Sequence, residues 1–175
     1  RPRRARTHPL VPESPPLTYQ TLRRRAPEPL EEAVEKAVRD LLAFNLRAYD
    51  GLDGLTVTRA DVGTDLELPA VVVRAARLRE SIPTGDVYEL EVVVSAMTLM
   101  DKLNDTDPDP AEYTDRLWSA LVAVLEDPQF FTVLSDSRSS VRWHGIVRNN
   151  AMEFSREDRH ATRTLRFSVH VSRLA

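Results

Sequence analysis

Cysteine is absent from the 175-residue chain. Disulfides, thiolate zinc sites, iron–sulfur clusters and cysteine nucleophiles are therefore excluded. Glycine is scarce, with five residues, and none of them falls in a phosphate-cradling pattern. No stretch approaches 18 uninterrupted apolar residues, so no membrane-spanning helix is expected. What is present has the proportions of a globular protein: 42% hydrophobic residues, 29% charged residues and a net charge of −3. That small net charge conceals an asymmetry. Residues 1–29 hold seven arginines and two glutamates, a balance of +5, whereas the rest holds 17 basic and 25 acidic residues, a balance of −8.

Residues 1–29 also carry seven of the twelve prolines and show no apolar period. Proline lacks a backbone donor and biases its predecessor to extended conformations. The segment is expected to be an extended arm, ordered only where it lies on a partner. No apolar core of a secretory signal follows its charges, and a chain opening on Arg1 is expected to continue from, or to have lost, a preceding segment. Arg1, Arg3, Arg4, Arg6, Arg23, Arg24 and Arg25 are candidate partner-binding residues. They could clip the acidic surface of a neighbouring subunit, contact nucleic-acid phosphates, or stay solvated. Attraction between a +5 arm and a −8 body favours protein contact, and the single aromatic of the arm, Tyr19, gives base stacking little support.

Residues 30–175 read as one α+β domain. Leu30, Val34, Ala37, Val38, Leu41 and Leu42 recur at three- and four-residue steps and predict a helix to about Ala48. Pro29 suits its first turn, Glu32–Lys36 and Glu35–Arg39 are four-apart pairs, and Asp50-Gly51 stops it. Strands are predicted at Leu55–Thr58, Ala70–Ala75 and Val87–Met97, the last two antiparallel. A second helix starts at Asp109-Pro110, with Glu112 placed for a capping box, and carries Tyr113, Leu117, Trp118, Leu121, Val122 and Leu125. Phe130–Leu134 is a short helix or turn. Val141–Phe154, with a bulge or bend at Asn149-Asn150, and Thr162–Ser172 complete the strands. The expected fold is a mainly antiparallel sheet covered by two helices, preceded by the extended basic, Pro/Arg-rich arm.

Chemistry is hard to find in this sequence. His8, His144, His160 and His170 stand at no metal-binding offset. Asp105, Asp107 and Asp109 imitate the start of a calcium loop, but Pro110 replaces its sharp-turn glycine and Arg116 its bidentate glutamate. Asp101, Asp105, Asp107 and Asp109 read better as a solvated loop running into a helix cap. Such a loop could also repel DNA from a pore wall or dock an arginine arm. Glu89 and Glu91 share the strand face opposite Leu90 and Val92. They could act as an acid–base pair, and a solvated or interface face is the better reading. No serine lies in a nucleophile elbow. Neither enzymatic activity nor a cofactor is expected.

The order of these elements resembles the tail terminator family of long-tailed bacteriophages and the related tail-completion and head–tail joining proteins. The features that carry it are the first helix, the Asp50-Gly51 turn, the Leu68–Val73 strand, the alternating Tyr88–Val94 strand, the helix with Leu117-Trp118 and the alternating Leu165–Val171 strand. The resemblance spans residues 30–173 and leaves the arm aside. It implies a non-enzymatic virion protein of the neck, assembled in the host cytoplasm as a homo-oligomeric ring, usually a hexamer. Such a ring caps the tail tube protein, ends tube growth and meets the head connector, while DNA passes its lumen without specific binding and no membrane is involved. The acidic set Asp101, Asp105, Asp107, Asp109, Glu89 and Glu91 would then face an interface or the lumen. The rival reading of another class is a nucleic-acid-binding module that uses the arginine arm.

Overall fold

A computed structural model describes residues 28–59, 66–80, 86–101, 109–136, 140–157 and 160–174. The arm residues 1–27, and with them all seven arginines of the arm, lie outside the described residues, as do Asp105 and Asp107.

The first helix, α1, runs Leu30–Leu46. Its buried stripe comprises Leu30, Ala33, Val34, Val38, Leu42 and Leu46, the helical spacing expected of a core-facing side. Pro29 occupies the cap position, one residue before the first turn. Past the helix, Gly51 takes a left-handed φ of 77°, which only glycine adopts without penalty. The strands β1 (Thr56–Arg59), β2 (Ala70–Glu80) and β3 (Tyr88–Leu99) follow. Helices α2 (Pro110–Glu126) and α3 (Pro128–Asp136) come next, and β4 (Val141–Glu157) and β5 (His160–Arg173) end the chain.

The five strands form one sheet in the order β1-β2-β3-β5-β4. Three of the four pairings are antiparallel; β1 runs parallel to β2. Parallel neighbours need a crossover long enough to carry the chain back. The connection from β1 to β2 spans residues 60–69. The expected bend in β4 is a register shift between Asn149 and Met152, with a second shift between Trp143 and Gly145.

Three helices, rather than two, pack on the sheet. Phe130 and Leu134 lie on one side of α3 and are both buried, so the apolar patch of uncertain form in the sequence becomes a nine-residue helix. One contiguous core joins the stripe of α1, Leu117 and Leu121 of α2, those two α3 residues and one face of the sheet. Leu90, Val92 and Val94 of β3 and Phe167, Val169 and Val171 of β5 supply the centre of that face. Trp143 is buried in the core, and Tyr88 packs at its margin with the Arg77 guanidinium 4.5 Å above its ring.

Polar contacts fix α1 in place in a way its sequence does not suggest. Its glutamates do not support the helix through four-apart pairs; they reach across to the sheet. Glu31 meets Arg77 on β2 at 3.1 Å, and Glu32 meets Arg59 on β1 at 3.0 Å. The buried Glu35 accepts a hydrogen bond from the Ala75 N–H at 2.9 Å and lies 3.4 Å from Arg59 Nε. Ala75 lies two residues past Val73, the last β2 residue paired with β1. The carboxylate therefore takes a donor that the short edge strand leaves over.

Candidate functional site

Strand alternation divides the sheet into a face under the helices and an outer face. Among the described residues, no helix covers the outer face. Its central rows run from β2 through β3 and β5 to β4. One row is Arg74, Val93, Arg166 and Asn149; the next is Ala76, Glu91, Ser168 and Val147. Glu89 stands opposite His170, which in turn stands opposite Gly145. The shared face expected for Glu89 and Glu91 is the one the register gives.

Arg166 pairs with two carboxylates on this face. Arg166 donates from Nη1 to Glu91 at 3.3 Å and from Nη2 to Glu153 at 3.0 Å, bridging β3, β5 and β4. Hydrogen bonding and charge from Glu153 first, then from Glu91, hold the guanidinium above its ordinary pKa. Ser95 bonds Thr164 across β3 and β5 at 3.1 Å, and His144 Nε2 bonds Ser172 Oγ at 2.8 Å. Small hydroxyl residues beneath these longer side chains are themselves buried, Ser168 to 2% exposure. The result is a flat polar surface with its own internal bonds. Glu91 serves as a cross-strand ion partner of Arg166. Among the described residues, no group of three or more acidic or histidine side chains could hold a metal ion.

The acidic set does not form one patch. Eight residue steps of β3, about 26 Å of strand, separate Glu91 from Leu99, and Asp101 follows that far end. Asp109 caps α2, accepting from the Ala111 N–H at 2.9 Å. The capping box is half formed, because the Glu112 carboxylate pairs forward with Arg116 at 2.7 Å.

Two features went unmarked in the sequence. Arg166 was visible as one polar residue in an alternating strand, but its ion partner Glu153 depends on the β4 bulge for its facing. The edge strand β4 is the other. It is 17 residues long and, among the described residues, pairs only with β5. On it Val147 is 47% exposed towards the outer face and Phe154 is 63% exposed towards the helix face. Arg163 of β5 lies 5.8 Å from the Phe154 ring and 5.7 Å from the Trp118 ring, and it pairs with Asp115 of α2 at 2.9 Å. Long, apolar edges are templates for pairing with another chain.

No single helix among the described residues is long and apolar enough to cross a membrane. The pair α2 and α3 passes that test only together, across a 65° bend, and the apolar side of α2 is spent on the core. No protein-family model matches the chain, and no curated protein matches it.

Proposed function

We propose that this chain is a structural protein of a phage-like particle, a tail terminator that assembles into a ring at the neck. The observation that carries the reading is an open sheet with, among the described residues, one face bare of helices, flanked by a long edge strand. A small domain exposes such an edge safely when a neighbouring copy covers it, and a closed ring covers every edge in turn. Arg166 ties Glu91 and Glu153 across three strands, which leaves the cluster with one uncompensated negative charge for a neighbouring copy to meet. A body of −8 suits a channel that passes DNA without holding it. A head–tail joining role on the same fold is a variant of this reading.

The arginine arm gives the test against nucleic-acid binding. Chains with and without residues 1–27 are compared for duplex DNA binding over a salt series and for particle mass. The proposal expects no salt-sensitive DNA binding by either chain and a smaller particle without the arm. Binding that weakens with a slope of about −0.9 per phosphate contacted, and that vanishes with the arm, would favour the nucleic-acid module instead.

A further inference from the structure

A groove of about 380 Å³ opens where the ends of α1 and α2 meet the start of α3. Leu41, Val124 and Phe130 are apolar on its lining, and Asn45, Tyr49 and Val133 line it as well. Val133 is 50% exposed, and Phe44, one helical turn from Leu41, is 79% exposed. This cluster of apolar side chains lies away from both the sheet edge and the outer face. Two negative helix ends meet one positive end here, because α3 starts at the groove and its Gln129 N–H donates to Asp127 at 2.8 Å. The C-terminal ends of α1 and α2 border it, neither helix has a basic residue in its last turn, and Asp127 lines the groove. Asp50 and Asp53 follow α1 nearby, with Arg47 and Arg116 as the facing cations.

We infer that this groove receives the N-terminal arm of a neighbouring copy, through residues 9–19. The inference rests on the ring reading above. Those residues are Pro-Leu-Val-Pro-Glu-Ser-Pro-Pro-Leu-Thr-Tyr, with arginines at positions 3, 4 and 6 before them and 23, 24 and 25 after them. Proline-rich segments dock in aromatic-lined apolar grooves because their extended form is already set, so little entropy is lost on binding. Leu10, Val11 and Leu17 match the apolar lining, and the flanking arginines match the two helix ends and Asp127.

The ring reading favours the neighbour over the arm's own domain. Glu28 sits at the start of α1, where Ser140 Oγ donates to its carboxylate at 3.5 Å. The groove lies at the other end of α1, about 25 Å away for 17 residues. To fill its own groove the arm would have to reverse direction at Glu28. Pro27 and Pro29 oppose this by biasing Ala26 and Glu28 to extended backbone. Residues 17–28 extend about 34 Å, a reach that spans either the chain's own groove or an adjoining copy, and the cross-linking below separates the two.

The absence of native cysteine makes the test direct. Full-length chains carrying Leu17→Cys are mixed with chains carrying Val133→Cys, or with chains carrying Leu78→Cys as a control at an exposed position on β2. The mixtures are oxidised mildly and run without reductant, and the particle mass of each sample is measured in parallel. The inference expects a disulfide between different chains at Val133, at least tenfold more abundant than at Leu78, and its loss when Phe44→Ala and Ala123→Arg are added to the Val133→Cys chain. A ring with equal linking at both positions overturns the groove inference and leaves the ring intact. A doubly substituted Leu17→Cys/Val133→Cys chain that links only within itself overturns assignment to the neighbour. A monomeric mass overturns the ring reading and this inference with it.

Discussion

Glu35 shows at the scale of one residue how far a side chain's role can lie from its sequence neighbours. It stands four positions before Arg39, yet it serves Arg59 and the Ala75 N–H, 24 and 40 positions away. Arg39 itself pairs with Asp40. Glu35→Ala removes the acceptor of a buried backbone donor, which typically costs about 1–3 kcal/mol. Urea unfolding should show a lower midpoint with an unchanged slope. Glu32→Ala, at a more exposed position, should cost less than about 1 kcal/mol. Tyr113 gives a second prediction. Burial pushes its hydroxyl above the ordinary value of 10.0, the Asp53 carboxylate adds to the rise and Arg116 opposes it. The unfolded tyrosine therefore releases its proton first as pH climbs past 10. Its contribution to stability is whole below pH 10 and is lost as pH rises through the folded value. Tyr113→Phe should flatten the alkaline fall in stability above pH 10, measured by denaturant titration; an unchanged fall would remove Tyr113 from the explanation.

Among the elements, those with a strong period were the legible ones. The Leu30–Leu42 spacing forecast α1, and Leu165, Phe167, Val169 and Val171 forecast β5, because a single buried face imposes its own period on the sequence. Asn149-Asn150 forecast the β4 irregularity. The Asp-Gly turn after α1 was legible too, and Gly51 at φ 77° explains it. Gly51→Ala should cost about 1–2 kcal/mol through the left-handed backbone, a fall of about 3–6 °C in melting temperature for a domain of this size. An added Cβ would also stand 3.0 Å from Arg116 Nη1, a flexible tip that can move aside. The direction of β1 was not legible, since four residues state a strand but not which way its neighbour runs. Nor was α3, where nine residues give too few turns to separate a helix from a packed turn. Of the candidate surface, the outward facing of Glu89 and Glu91 was readable from alternation. Their relation to Arg166 and Glu153 was not, because it passes through three strands and a bulge.

At the scale of the molecule, the charge separation and the bare sheet face point the same way. Among the described residues three helices cover one face of the sheet and none covers the other, an arrangement that the ring proposal assigns to contact with a neighbour. Under the proposal, the long edge strand, the groove between helix ends and the basic arm are three separate places for contact between copies. The central claim is therefore self-assembly. Its most direct test is the mass of the purified full-length chain, measured by native mass spectrometry and by sedimentation over a hundredfold range of concentration. The account predicts one closed oligomer of fixed copy number, seen as a ring with an open lumen by electron microscopy. A mass of 19.8 kDa at every concentration, the value of the single chain, would contradict it.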